Sequence, residues 1–203
     1  MSVMQINGVR LPDDRPLTVD DIDRLPDDGN RYELADGVLE VTSAPFGPHE
    51  RAVHRLEWLL EYQAPPGFEI PGQQGMEIEL PELSRYRIPD LAVTRSGSFE
   101  EKSLTRPPLL VVEVASAGTK RRDRITKKKE YEQFGIQSYW IIVPDFAAPS
   151  ITAFDLDDGT YVEVAHVTDD EVFQTEHPFP FSVTPRQLTT AIGWKPSMRM
   201  ECR

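Results

Sequence analysis

Cysteine is almost missing from this chain, with one residue, Cys202, among 203. A lone thiol near the C-terminal end excludes an internal disulfide framework; it reads as a tail residue without a role, and a reducing cytoplasm is the expected compartment. Long apolar runs are missing too. No stretch approaches the length of about 20 residues that a membrane-spanning helix needs, and the opening "MSVMQINGVRLPDD" lacks the apolar core of a secretory leader. No membrane partner is therefore expected. No internal repeat or low-complexity segment is present. Positive charge is scarce, with 22 Lys and Arg against 34 Asp and Glu, a formal net charge of −12. That balance argues against a protein that coats nucleic acid indiscriminately.

Apolar residues make up 39% of the chain and charged residues 28%, enough for a substantial core in a soluble protein. The length suits one domain over 1–203, with the core expected at roughly 18–190 and short tails. The basic residues are not spread evenly. "TKRRDRITKKKE" (119–130) holds seven of them and two acids, leaving 15 basic against 32 acidic residues elsewhere. One positive segment on an acidic body can touch an anion without making the whole surface adhesive.

Apolar spacing, caps and turn residues predict the elements. "LTVDDIDRLP" is a short helix capped by Thr18, and Asp36-Gly37 is the turn of a hairpin. "PHERAVHRLEWLLEYQ" (48–63) repeats Val53, Leu56, Leu59 and Leu60 at helical spacing. "GMEIEL" alternates, with Met76, Ile78 and Leu80 inward. Two apolar strands are expected at 87–94 and 109–115, a helix at 120–134 ending at Gly135, and a buried strand at 138–143. A further hairpin turns at Asp158-Gly159, and a short helix spans 184–188. A strand–helix–strand order over 109–143 predicts a parallel crossover. The fold class is thus α/β (α+β), a mixed sheet flanked by helices with additional hairpins.

Two carboxylates interrupt apolar strands: Asp90 in "RIPDLAV" and Glu113 in "LLVVEVAS". A buried carboxylate takes up a proton, pairs with a cation or binds a metal. A salt bridge to an arginine is the plain explanation for either one alone. Two on successive strands can instead supply oxygen ligands to magnesium. Pro89 predicts that the Asp90 strand lies at an edge or near a bulge. On the following helix, Asp123, Lys127, Tyr131 and Phe134 share one face, and its aromatics point Lys127 inward. Asp123 fits an ordinary helical ion pair with Lys127. Ile125 lies nearly opposite Phe134, which predicts a helix covered on two sides. Lys120, Arg121, Arg122 and Arg124 crowd the helix start, where a solvated turn and a phosphate-contacting surface are both open explanations.

The ordered set "YELADG", His49, "RIPDLAV", "LLVVEVAS", Asp123, Lys127, Tyr131, Gly135 and Tyr139-Trp140 resembles the PD-(D/E)XK nuclease superfamily, in its bacterial Uma-type restriction-endonuclease branch. The similarity spans roughly residues 18–165. It implies a restriction-endonuclease-like core and hydrolysis of DNA phosphodiesters with Mg²⁺, or Mn²⁺, held by Asp90 and Glu113. Lys127 is the implied third catalytic residue. Glu33 matches the glutamate of the family's "YELxDG" element and is implied as a further ligand or an orienter of the metal's water. His49 and Tyr131 are implied as supporting residues one step from the ligands, although His49 alone reads as an exposed helix-start residue. Lys120, Arg121 and Arg122 are the expected phosphate contacts, and a homodimer suits cutting of both strands. The superfamily's acid-x-lysine is here Glu113-Val114-Ala115, with Lys127 displaced onto the next helix, and Ser138 replaces an acid often found before Tyr-Trp. An inactive nucleic-acid-binding or assembly module of the same fold, and a hydrolase of small phosphodiesters, are the alternatives.

Overall fold

The computed structural model describes residues 5–43, 47–80, 83–98, 103–115 and 123–190. A small pair, β1 (Gln5–Ile6) and β2 (Val9–Arg10), precedes α1 (Val19–Ile22) and the hairpin of β3 (Asn30–Ala35) and β4 (Val38–Ser43). Next come the long helix α2 (Pro48–Gln63), β5 (Phe68–Glu69), the hairpin of β6 (Met76–Leu80) and β7 (Leu83–Arg87), β8 (Leu91–Arg95) and β9 (Leu110–Val114). A π-helical turn (Asp123–Lys127) runs into α3 (Lys128–Phe134), followed by β10 (Ser138–Val143), β11 (Ser150–Asp157) and β12 (Thr160–Thr168). The short pair β13 (Phe173–Thr175) and β14 (Phe181–Val183) and helix α4 (Pro185–Thr189) complete the described chain.

The central sheet is six-stranded and mixed, in the order β12-β11-β10-β9-β8-β5. Only β9 and β10 run parallel, joined through α3 as the strand–helix–strand order requires, and the other neighbours are antiparallel. Every residue of β9 and β10 is buried, because the sheet is covered on both faces. On one face Val53, Leu56 and Leu60 of α2 pack with Leu91, Val93, Val112, Val114 and Trp140. On the other, Tyr131 of α3 and Met76 and Ile78 of β6 pack with Ala92, Val111, Tyr139 and Ile141. A second sheet, β4-β3-β7-β6, stands beside this second face.

The local rules operate as the residue types require. Asp36 and Gly37 turn the β3–β4 hairpin with φ of 54° and 78°, the left-handed pair such a turn needs. A Cβ at Gly37 would collide with Pro16, so glycine is required there for space as well as conformation. Asp158 and Gly159 repeat the device between β11 and β12. Thr184 caps α4, accepting the Gln187 N–H while the Gln187 side chain takes the Thr184 N–H in return.

Three expectations are corrected. Pro89 is not in an edge strand: the expected strand 87–94 divides into β7 and β8, and residues 88–90 link them. β8 itself lies inside the sheet between β9 and β5. The helix after β9 opens as a π turn rather than an α-helix. Ile125 is 61% exposed, so the helix is covered on one side only; the wider π turn does not carry the 100° phase that placed Ile125 against a second surface. Lys120, Arg121 and Arg122 lie outside the described residues, as does the side chain of Asp123. No described helix is long and apolar enough to cross a membrane.

Candidate functional site

Strand alternation sets the direction of Glu113. Leu110, Val112 and Val114 of β9 face α2, whereas Val111 lies in the α3-side core, so Glu113 projects toward α3. There its Oε1 accepts two hydrogen bonds, from Lys127 Nζ at 2.8 Å and from the Tyr131 hydroxyl at 2.7 Å. Lys127 and Tyr131 are one turn apart across the join of the π turn and α3, and both are buried. Lys127 Nζ also donates to Glu33 Oε1 at 3.2 Å. Glu33 comes from β3 of the second sheet, and the same oxygen accepts the Ile88 N–H at 2.9 Å. Lys127 therefore ties the two sheets together through one ammonium group.

Asp90 stands immediately before β8. Leu91 pairs with Val112 across the β8–β9 ladder, and one further step of that register brings Asp90 opposite Glu113. Asp90 Oδ2 accepts the Val114 N–H at 2.8 Å and bonds His49 Nε2 at 3.0 Å, while Oδ1 accepts from Arg31 Nη1 at 2.8 Å. His49 is buried in the first turn of α2, not exposed: the Gly47-Pro48 start of the helix carries it under the sheet end. Its Nδ1 and Arg31 Nη2 are buried without a hydrogen-bond partner among the described residues. Burial alone pushes the Asp90 carboxyl up. The bond and charge of His49, the charge of Arg31 and the Val114 N–H together outweigh burial and hold it below its usual range.

A third group was not anticipated as part of the site. Arg87 is fully buried and forks onto Glu130, with Nε at 2.7 Å from Oε2 and Nη2 at 2.8 Å from Oε1. Its Nη1 reaches Glu40 at 2.5 Å and Glu33 at 3.4 Å. Desolvation opposes its charge, but the Glu130 bonds and the charges of Glu130, Glu33 and Glu40 prevail and raise its pKa. Burial, followed by the charges of Glu113 and Glu33, drives the Tyr131 hydroxyl well above its usual value, so it serves as a donor and not as an anion.

Sequence reading allowed an arginine as partner to a buried carboxylate without saying which. Arg31 carries a usable signal, since it lies two residues before Glu33 and so shares its face of β3. Arg87 carries a weaker one, a cation closing an otherwise alternating strand. Glu130 carries none, because its neighbours Lys128, Lys129 and Glu132 look like a solvated helix face.

Among the described residues, five carboxylates (Glu33, Glu40, Asp90, Glu113 and Glu130) thus meet the cations Arg31, Arg87 and Lys127. Arg85 pairs with Asp36 at the rim and lies 3.8 Å from Glu130. Clustered hard oxygen donors suit a divalent cation in kind. The geometry is less open. Both oxygens of Asp90 and both of Glu33 already accept hydrogen bonds from the protein. Among the described residues, no three of His, Cys, Asp and Glu are grouped to hold a metal ion.

The model of the Uma2 family, described as "Putative restriction endonuclease", matches residues 19–191. The chain belongs to that family. Its connection is to the PD-(D/E)XK nuclease superfamily, and the mixed sheet with flanking helices is the matching restriction-endonuclease-like architecture. One similar solved structure is the crystal structure of a "putative nuclease belonging to DUF820" from Anabaena variabilis, with a TM-score of 0.56 and 16% identity over 77% of this chain and 86% of that one. At that identity the likeness concerns the fold. The chain matches none of the curated proteins. As a Uma2-family chain it lacks lysine two residues after Glu113, and Lys127 reaches the same carboxylate from α3.

Proposed function

We propose that this Uma2-family chain is a nucleic-acid-binding module on a nuclease fold, with its acidic cluster held in ion pairs rather than opened for catalysis. One observation carries this reading: the carboxylates at 33 and 90 are saturated by Lys127, Arg87, Arg31, His49 and two backbone N–H groups. A metal would have to compete with those bonds, and separating buried charge pairs costs about 3–5 kcal/mol each. Nucleic acid as the partner rests on the family and its superfamily. Lys120, Arg121 and Arg122 are the proposed phosphate contacts, each adding about one unit to the slope of log affinity against log salt.

Metal-dependent hydrolysis of DNA is the second reading, favoured by the convergence of Lys127 on Glu113 and Glu33. In that reading Asp90 and Glu113, with Glu33, would hold Mg²⁺ or Mn²⁺. Such an ion lowers the pKa of a bound water and neutralises phosphoryl oxygens. Lys127 pairs with Glu113 and would carry a positive charge toward the developing oxyanion. Tyr131 fixes the Glu113 rotamer, and Arg31 and His49 fix Asp90.

A labelled duplex and a labelled single strand, titrated with the full chain in Mg²⁺, in Mn²⁺ and in chelator, decide between the two. Retained binding of intact DNA in all three conditions is the expected result. Metal-dependent cleavage that disappears in Asp90→Asn and Glu113→Gln overturns the first reading in favour of the second. Cleavage of a chromogenic phosphodiester without action on DNA points to a small-ester hydrolase instead.

A further inference from the structure

Helix α2 presents two unlike flanks. Its buried positions from His49 to Leu60 form one face, and at 3.6 residues per turn the remaining positions divide to either side of it. On one side stand Glu50, Glu57 and Glu61; on the other stand Arg51, Arg55, Trp58 and Tyr62. The second flank is basic and aromatic in a chain whose net charge is −12. Trp58 and Tyr62 are 36% and 56% exposed, and their rings stack with centroids 5.2 Å apart and planes 6° apart. At the other end Arg51 lies 5.9 Å over the ring of Phe146, an exposed residue in the loop after β10. Among the described residues Arg51 pairs with this ring and with no carboxylate. Arg186 of α4 donates to the Phe146 carbonyl at 3.0 Å and pairs with Asp169, which holds the loop beside the helix. Asp145, next to Phe146, accepts the Ala147 and Ala148 N–H groups. Arg55 Nη1 donates to the Gln187 carbonyl at 3.1 Å. Burial, followed by the like charge of Arg51, lowers the Arg55 pKa, so the two guanidinium groups stand close enough to repel each other.

Two arginines between exposed aromatic rings form a recognition set for a chain that alternates phosphates with flat bases. With nucleic acid as the partner, the reading on which this rests, we propose that a single strand docks along the Arg51–Tyr62 flank of α2. Arg51 and Arg55 pair its phosphates, while the Trp58–Tyr62 stack and Phe146 offer ring surface to its bases. A phosphate between the two guanidinium groups relieves their repulsion. The strand is unpaired, because a duplex keeps its base faces inside its own stack and out of reach of surface rings. An apolar partner would cover the rings and leave both cations without a counter-charge. The acidic flank repels phosphate and confines the strand to one side of the helix. From Arg51 to Tyr62, at 1.5 Å per residue, the stripe is about 17 Å long. Its Arg51 end lies two residues from His49, which bonds Asp90. The strand therefore reaches the end of the sheet that carries the acidic cluster, whether or not that cluster is catalytic.

Fluorescence anisotropy of a labelled single strand and of its duplex, titrated with the full chain in chelator across a range of salt concentrations, tests it. Tighter binding of the single strand is expected. Tyr62→Ala and Phe146→Ala each weaken that binding about fivefold or more, as loss of a stacked base implies, and leave the salt slope unchanged. Arg51→Ala also weakens it and flattens the slope of log affinity against log salt by about 0.7. Tyr62 and Phe146 are exposed, so their variants keep the fold. Glu61→Gln, on the acidic flank, does not weaken binding. Wild-type binding that is unchanged in Tyr62→Ala and Arg51→Ala overturns the proposal and leaves nucleic acid as the partner. A wild type that binds neither the strand nor the duplex overturns both. A chain that sediments as a dimer and becomes a monomer in Tyr62→Ala makes this flank an interface between copies, which overturns the proposal as well.

Discussion

The two ends of β8 handle charge in opposite ways. At its start Asp90 is buried, and every oxygen of its carboxylate is occupied from within the fold by Arg31, His49 and the Val114 N–H. At its end, among the described residues, the buried Thr94 hydroxyl has no partner, and the neighbouring Arg95 has an aromatic ring but no carboxylate. One strand of five residues thus links a carboxylate saturated from within the fold to a hydroxyl and a guanidinium that are not. Charge that the fold compensates for itself belongs to stability as well as to chemistry. Charge left uncompensated costs the fold little at the surface and remains available to a ligand.

Substitutions at the two ends therefore separate widely in unfolding experiments. The largest loss falls on Arg87→Met, which leaves Glu130, Glu33 and Glu40 facing one another in the interior; urea denaturation should register about 4 kcal/mol. Lys127→Met follows at about 3 kcal/mol, because Glu113 and Glu33 lose their shared ammonium while Tyr131 still holds Glu113.

Asp90→Asn costs about 2 kcal/mol near neutral pH, and its loss is pH-dependent. The folded-state pKa of Asp90 is depressed below 3.8, so its contribution is fully present above that value and vanishes as pH falls through the folded pKa. The gap between wild type and Asp90→Asn should narrow below about pH 4, measured by chemical denaturation across pH in chelator. A constant gap breaks the account of Asp90 as an ion-paired carboxylate.

Tyr131→Phe removes one hydrogen bond and should cost about 1 kcal/mol. Arg106→Ala, at the open end, should move stability by less than about 0.5 kcal/mol. A large loss there would erase the contrast between the two ends of β8.

The parts of this architecture that were legible in advance follow short-range rules. The helix at 48–63 and the turns at Asp36-Gly37 and Asp158-Gly159 appear where spacing and backbone preference put them. The convergence of Lys127 and Tyr131 was legible from four-residue spacing combined with aromatic neighbours. The Pro89 expectation failed because proline also suits the link between two strands, and no neighbouring residue distinguishes that link from an edge strand. His49 was misplaced because burial of a helix start depends on the sheet end it packs under. Glu130 was invisible because the arginine that buries it lies 43 positions earlier in the chain.

By itself the sequence determined the long helix at 48–63, the two Asp-Gly hairpins, that Asp90 and Glu113 stand in apolar runs, and which family the chain resembles. Each of these depends on residues close together in the chain, or on their order along it. Only the tertiary structure decided what those carboxylates face: Arg31 and His49 for Asp90, Lys127 and Tyr131 for Glu113, and Arg87 among Glu33, Glu40 and Glu130. It also decided that Arg95 lies over the Phe68 ring. Charge compensation acts over a few ångströms between groups that the chain holds tens of residues apart, so it becomes fixed only when the sheets and helices pack.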